Sequence, residues 1–154
     1  MKNPIIAAEL KRLAAEHDGV LQPETVVAAA SDPDSPLHAQ FEWDDTKAAA
    51  EHRLWQARTL IRRVIVEYEK APGERAEHQL FVSITTDRAK EGGGYRVLTD
   101  VLSDEDLRQQ LLIDARREMA TFRSKFAKLT ELAQVFDSMA EAEKKIDQRV
   151  AAAV

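Results

Sequence analysis

From Leu112 onward the apolar positions are Ala115, Met119, Phe122, Phe126, Leu129, Ala133, Phe136 and Ala140, and every step is three or four residues. No glycine follows Gly94 and no proline follows Pro72, so nothing in the last third of the chain interrupts a helix. A stripe of this period is the mark of an amphipathic helix or a coiled-coil seam. Leu107 and Leu111 extend it backward, and Ser103-Asp104-Glu105-Asp106 caps it with acidic first-turn residues. The pattern predicts one long helix or a bent helical pair, and without a breaker the reading favours a near-continuous helix with a kink between Lys125 and Thr130. Its apolar face is longer than short neighbouring helices can cover. The large rings suit packing against the N-terminal helices or a multi-helix interface, and Met119, Phe122, Phe126, Leu129 and Phe136 are expected to form a homo-oligomer interface, at least a dimer.

Upstream the pattern is different. Asn3-Pro4 opens a helix with a cap followed by proline, Ile6, Leu10 and Leu13 give its apolar face, and Asp18-Gly19 closes it. A second helix is expected from Pro23, with Val26, Val27 and Ala30, and a third short one from Ser35-Pro36 through Leu37 and Phe41. A longer helix over Thr46–Arg63, capped by Asp44 or Asp45, carries Ala50, Leu54, Ala57, Ile61 and Val64 on one face. The period then changes to two. Val64–Tyr68 and His78–Ile84 read as the arms of a β-hairpin, with Leu80, Val82 and Ile84 on one face and Phe81 on the other. Tyr95–Leu98 is a candidate third strand. The expected fold is mainly α with a small antiparallel β-hairpin (α+β). Residues 1–98 form a winged helix-turn-helix-like unit and residues 99–154 the long C-terminal helix.

With no cysteine among 154 residues, disulfides, thiolate metal sites and thiol catalysis are excluded. No Walker A, G-x-S-x-G or H-E-x-x-H pattern occurs, and no acid, base and nucleophile converge. The chain is expected not to be an enzyme and to need no cofactor. His38 beside Glu42, Asp44 and Asp45 reads as surface and capping chemistry, so no metal site is expected. The N-terminus lacks the apolar core of a signal peptide, and no apolar run is long enough to span a membrane. A cytoplasmic setting without membrane contact follows as the expectation.

The net charge of −5 conceals a gradient. Residues 1–52 balance to −6, residues 53–96 to +3 and residues 97–154 to −2. Bulk attraction to nucleic acid is excluded, so any such contact is local and lies in the middle segment. A winged helix-turn-helix puts one helix in the major groove and its hairpin on the backbone. In that arrangement Arg58 and Arg62 meet phosphates, Arg53 and Gln56 reach bases, and Lys47 lies at the start of the same helix. Lys70, Arg75, Arg88 and Lys90 touch the backbone from the hairpin and from the glycine-rich loop Asp87–Gly94. Trp55 falls off the apolar stripe among the arginines. It either stacks on a base or packs under the hairpin, with the arginines paired to Glu51 or Glu67. The loop is either a phosphate contact or a plain connector.

The strings SPLHAQFEWDDTKAAAEHRLWQARTLIRRV, DRAKEGGGYRVLTDVLSDEDLRQQLL and KLTELAQVFDSM resemble a group of small proteins encoded by bacteriophages and prophages. The resemblance covers most of residues 20–139. It implies a bacterial cytoplasm and a phage or prophage setting, and it carries over no activity and no catalytic residue. Three functions fit these readings. One is an oligomeric DNA-binding accessory or regulatory protein. Another is an assembly or packaging protein like a small terminase subunit. The third is an adaptor for a host or phage protein, using the acidic N-terminal face.

Overall fold

The computed structural model describes residues 3–44 and 50–152, and the chain divides into two compact units, Met1–Ser103 and Asp104–Val154. The first unit opens with α1 (Pro4–Glu16), whose cap Asn3 accepts the backbone N–H groups of Ile5 and Ile6 through its side chain. Two of the otherwise unpaired first-turn donors are satisfied in this way. Helix α2 (Pro23–Ala30) follows, and then a single 3-10 turn at His38–Gln40 where a short helix was expected. Helix α3 (Ala50–Arg63) covers the described part of the expected Thr46–Arg63 helix. Asp45, Thr46 and Lys47 lie outside the described residues.

Two small antiparallel sheets come next. Strands β1 (Ile65–Ala71) and β2 (Glu74–Gln79) form the hairpin around Pro72-Gly73, with Ile65 opposite Gln79 and Tyr68 opposite Ala76. Strand β3 (Phe81–Val82) pairs instead with β4 (Arg96–Val97), so the expected third strand belongs to a separate two-stranded sheet. A one-turn helix α4 (Thr85–Arg88) lies between them, and α5 (Leu98–Ser103) follows β4. The described residues 31–44 lie between α2 and α3, with the 3-10 turn among them. A helix-turn-helix connection is about three or four residues long, so this linkage is of another kind.

The core of this unit gathers Ile6, Leu10 and Leu13 from α1, Val26 and Ala30 from α2, and Leu37 and Phe41 from the corner. Ala57, Leu60 and Ile61 come from α3, joined by Val64, Leu80, Phe81 and Val97. Each fully buried Leu, Ile or Phe here contributes about 1.5–3 kcal/mol. Phe81 corrects the alternation reading. Alternation puts it on the face opposite Leu80, yet both are buried, because the chain leaves the hairpin at Leu80 and enters a second sheet at Phe81.

The second unit is a helical hairpin. Helix α6 (Glu105–Phe126) starts at Asp104, whose carboxylate accepts the Leu107 N–H at 3.0 Å. After a 3-10 turn at Thr130–Leu132, α7 (Ala133–Ala152) runs back alongside it. Arg149–Glu105 at 3.3 Å, Arg116–Asp147 at 2.8 Å and Arg123–Glu143 at 3.1 Å fix the antiparallel pairing. Near-continuity of the helix is thus corrected, and the break falls where the kink was expected. Its reason is aromatic. Folding back brings Phe136 to 6.4 Å from Phe122, which itself lies 4.8 Å from Phe126. In a straight helix residues 122 and 136 would stand roughly 21 Å apart.

Candidate nucleic-acid interface

Helix α3 presents its buried side through Ala57, Leu60 and Ile61, which turns Trp55, Thr59, Arg62 and Arg63 outward. Trp55 is 56% exposed, with the ring of His52 stacked 5.6 Å from it. Burial of this indole under the hairpin is therefore excluded. Beside it runs an open groove of about 280 Å³ lined by Gln40, Trp55, Gln56, Thr59, Leu60 and Arg63. The Gln56 side-chain oxygen accepts the Glu42 backbone N–H at 3.4 Å, which ties the amide to the 35–44 corner. Arg62 is exposed, and its Nε donates to the Arg58 carbonyl at 3.1 Å. Arg58 is half-buried on the same helix.

Arg53 has a different place. Its guanidinium sits 5.7 Å from the centroid of the Trp43 ring, on the flank of α3 that faces the 35–44 corner. That corner is internally tied. His38 Nδ1 donates to the Ala30 carbonyl at 2.8 Å, Trp43 Nε1 donates to the His38 carbonyl at 2.9 Å, and the two rings stack at 5.0 Å. His38 is thereby accounted for by packing. No group of three or more His, Asp or Glu residues suited to a metal ion occurs among the described residues.

The hairpin cations keep acidic company. Lys70 lies 3.8 Å from Glu74, and Arg75 3.6 Å from Glu67. Exposed pairs of this kind are worth little. The composition decides more: β1, β2 and their turn carry Glu67, Glu69, Glu74 and Glu77 against Lys70 and Arg75. A net negative hairpin repels a phosphate backbone rather than gripping it.

Arg88 and Lys90 belong to the closure of the glycine-rich loop. Arg88 donates to the Ser83 carbonyl and, at 2.8 Å, to Thr85 Oγ1. Lys90 Nζ stands 3.4 Å from Asp87. The principal partner of Asp87 is Arg96, which grips both carboxylate oxygens at 2.6 and 3.0 Å. Burial pushes the Asp87 carboxyl up, but the hydrogen bonds and charge of Arg96, with Lys90, outweigh it and hold the pKa below the usual carboxylate value. Gly94 lies against this pair, and Ser83 Oγ donates to its carbonyl at 2.7 Å. The loop is thus an anchored corner.

Of the residues read from the sequence, Arg58 and Arg62 share one flank of α3, four positions apart, whereas Gln56 lies on the other flank, in the groove with Arg63. The fold sets Arg53 against Trp43, leaves Lys70 and Arg75 on the hairpin, and uses Arg88 and Lys90 in the loop. Lys47 lies outside the described residues. Gln40 joins the groove from the 3-10 turn, and sequence reasoning missed it because no helical period links it to α3. Comparison with protein families, with curated proteins and with solved structures gives no match.

Proposed function

We propose that this protein is a DNA-binding accessory or regulatory protein of phage or prophage type, acting as an oligomer whose α3 helices meet the nucleic acid. The observation that carries this reading is the outer face of α3, where exposed Trp55 and Arg63 border an open groove and Arg62 is exposed on the same helix. Between Ala50 and Arg63 the helix holds four arginines and one glutamate, in a chain of net charge −5. A local cationic face in an acidic protein supports weak, salt-sensitive contact confined to that face. Arg58 and Arg62 serve as phosphate contacts and Gln56 as a base-edge contact. The hairpin cations contribute little, since glutamates outnumber them.

A second reading, an assembly or packaging protein or a protein-binding adaptor, is favoured by the helical hairpin. Among the described residues 104–151 no hydrophobic side chain is buried, and Phe122 and Leu129 are 38% and 47% exposed. Two helices cannot enclose a core alone, so this unit supports self-association through Met119, Phe122, Phe126, Leu129 and Phe136. Gel-shift of the wild type and of the Arg58→Ala/Arg62→Ala variant on phage-genome fragments at low salt separates the two. A shift that the variant loses supports the DNA reading. No shift, or equal shifts, moves the function to assembly or adaptor work.

A further inference from the structure

We propose that Trp55 is a stacking platform for an unpaired base, so that the α3 face prefers single-stranded or locally opened DNA over intact duplex. This rests on the nucleic-acid reading above and narrows it to one form of the ligand. Three observations carry it. The Trp55 indole is mostly solvent-exposed although α3 has a well-filled buried side to receive apolar groups. The ring borders a groove lined also by Leu60 and by Gln40, Gln56, Thr59 and Arg63, whose side chains carry amide, hydroxyl and guanidinium groups. These are groups that pair with the edges of a base. Arg62 and Arg63 follow one turn and two turns along from Thr59 and Trp55, where a strand's phosphates would pass.

An indole needs access to a base face to stack, and duplex DNA hides those faces between neighbouring pairs. A single strand offers them freely, and stacking tolerates every base because each has a π face. Glu42, whose backbone N–H meets Gln56, and Glu51, one helical turn before Trp55, oppose phosphate approach, so the stack, rather than charge alone, must supply a large share of the affinity. The side of the groove formed by Gln40 and Gln56 adds hydrogen bonds that a stacked purine or pyrimidine edge can accept or donate.

The test uses the full chain with a labelled oligothymidine of about 20 nucleotides and a duplex of equal length, beyond the ~4–16 nucleotides that a small single-strand site covers. Anisotropy gives affinity, and tryptophan fluorescence reports stacking. Since Trp43 is the other tryptophan, the quench that disappears in Trp55→Phe is assigned to Trp55. The expected result is tighter binding of the strand than of the duplex and a quench absent from Trp55→Phe. Trp55→Ala should weaken strand binding about tenfold or more, with partial recovery in Trp55→Phe. Equal or tighter duplex binding without a Trp55 quench overturns this inference and leaves DNA binding standing. Binding of neither probe overturns both.

Discussion

Arg96 holds Asp87 across nine positions of chain through two hydrogen bonds, Nε to Oδ2 at 2.6 Å and Nη2 to Oδ1 at 3.0 Å. Asp87 is 1% exposed and Arg96 17%, so the pair is desolvated and closes the loop between α4 and β4. Breaking such a pair from one side strands a buried charge, which costs about 3–5 kcal/mol. Asp87→Asn should therefore lower the unfolding free energy by roughly 3 kcal/mol in urea titration. Asp87→Asn/Arg96→Met should recover part of that loss. Equal stability of Asp87→Asn and wild type would show that the pair contributes nothing.

Acid should erase the same contribution. The folded-state pKa of Asp87 is lowered, so its stabilisation is complete above the unfolded value of about 4 and lost as pH falls through the lower folded value. The stability gap between wild type and Asp87→Asn should be full at neutral pH and shrink below about pH 4. Urea titrations at neutral and acidic pH read this directly. A gap that is unchanged in acid contradicts it.

Gly94 is held by space rather than by turn geometry. A Cβ there would lie 2.6 Å from Val20 Cγ1 and 3.6 Å from the Asp87 Cβ. Overpacking of this kind costs about 1–3 kcal/mol. Gly94→Ala should destabilise the protein by that amount in thermal or urea unfolding, and Val20→Ala in the same chain should restore much of it. Absence of rescue would place the strain elsewhere.

The helical hairpin gives a prediction about assembly. Its aromatic cluster, Phe122, Phe126 and Phe136, and the neighbouring Leu129 leave apolar surface open to solvent. Light scattering at tens of micromolar should give a dimer or larger species. Phe122→Asp/Leu129→Asp should weaken association about tenfold or more, the scale of an interface hot spot. A wild-type monomer at that concentration rules this interface out.

How far these features can be read from the chain depends on their range. Asn3-Pro4 and Asp104 announce helix starts because a cap acts within three residues, and both caps are present. The stripe of Phe122, Phe126 and Phe136 announces helix but does not choose between one long helix and a bent pair. No glycine or proline marks residues 127–132, and the gain from folding back arises only when distant rings meet. Trp55 was legible as lying off the apolar face of α3, whereas Gln40 reaches the groove from a separate segment. The Asp87–Arg96 pair was hidden for the same reason. Nothing in a spacing of nine residues singles out an ion pair, and read locally the loop looks like cations beside glycines. Arg53 was legible as a cation on α3, whereas its neighbour Trp43, ten residues earlier, was not.

The central claim is that α3 is the surface that meets DNA, and the salt dependence of binding tests it most directly. Anisotropy titrations over a range of salt should give a log–log slope that is shallower in Arg58→Ala/Arg62→Ala than in wild type. The difference should be about 0.7 per lost phosphate contact on a single strand and about 0.9 on a duplex. Lys70→Ala/Arg75→Ala, on the glutamate-rich hairpin, should leave the slope nearly unchanged. Identical slopes for wild type and the α3 variant, or a loss confined to the hairpin variant, would contradict the assignment.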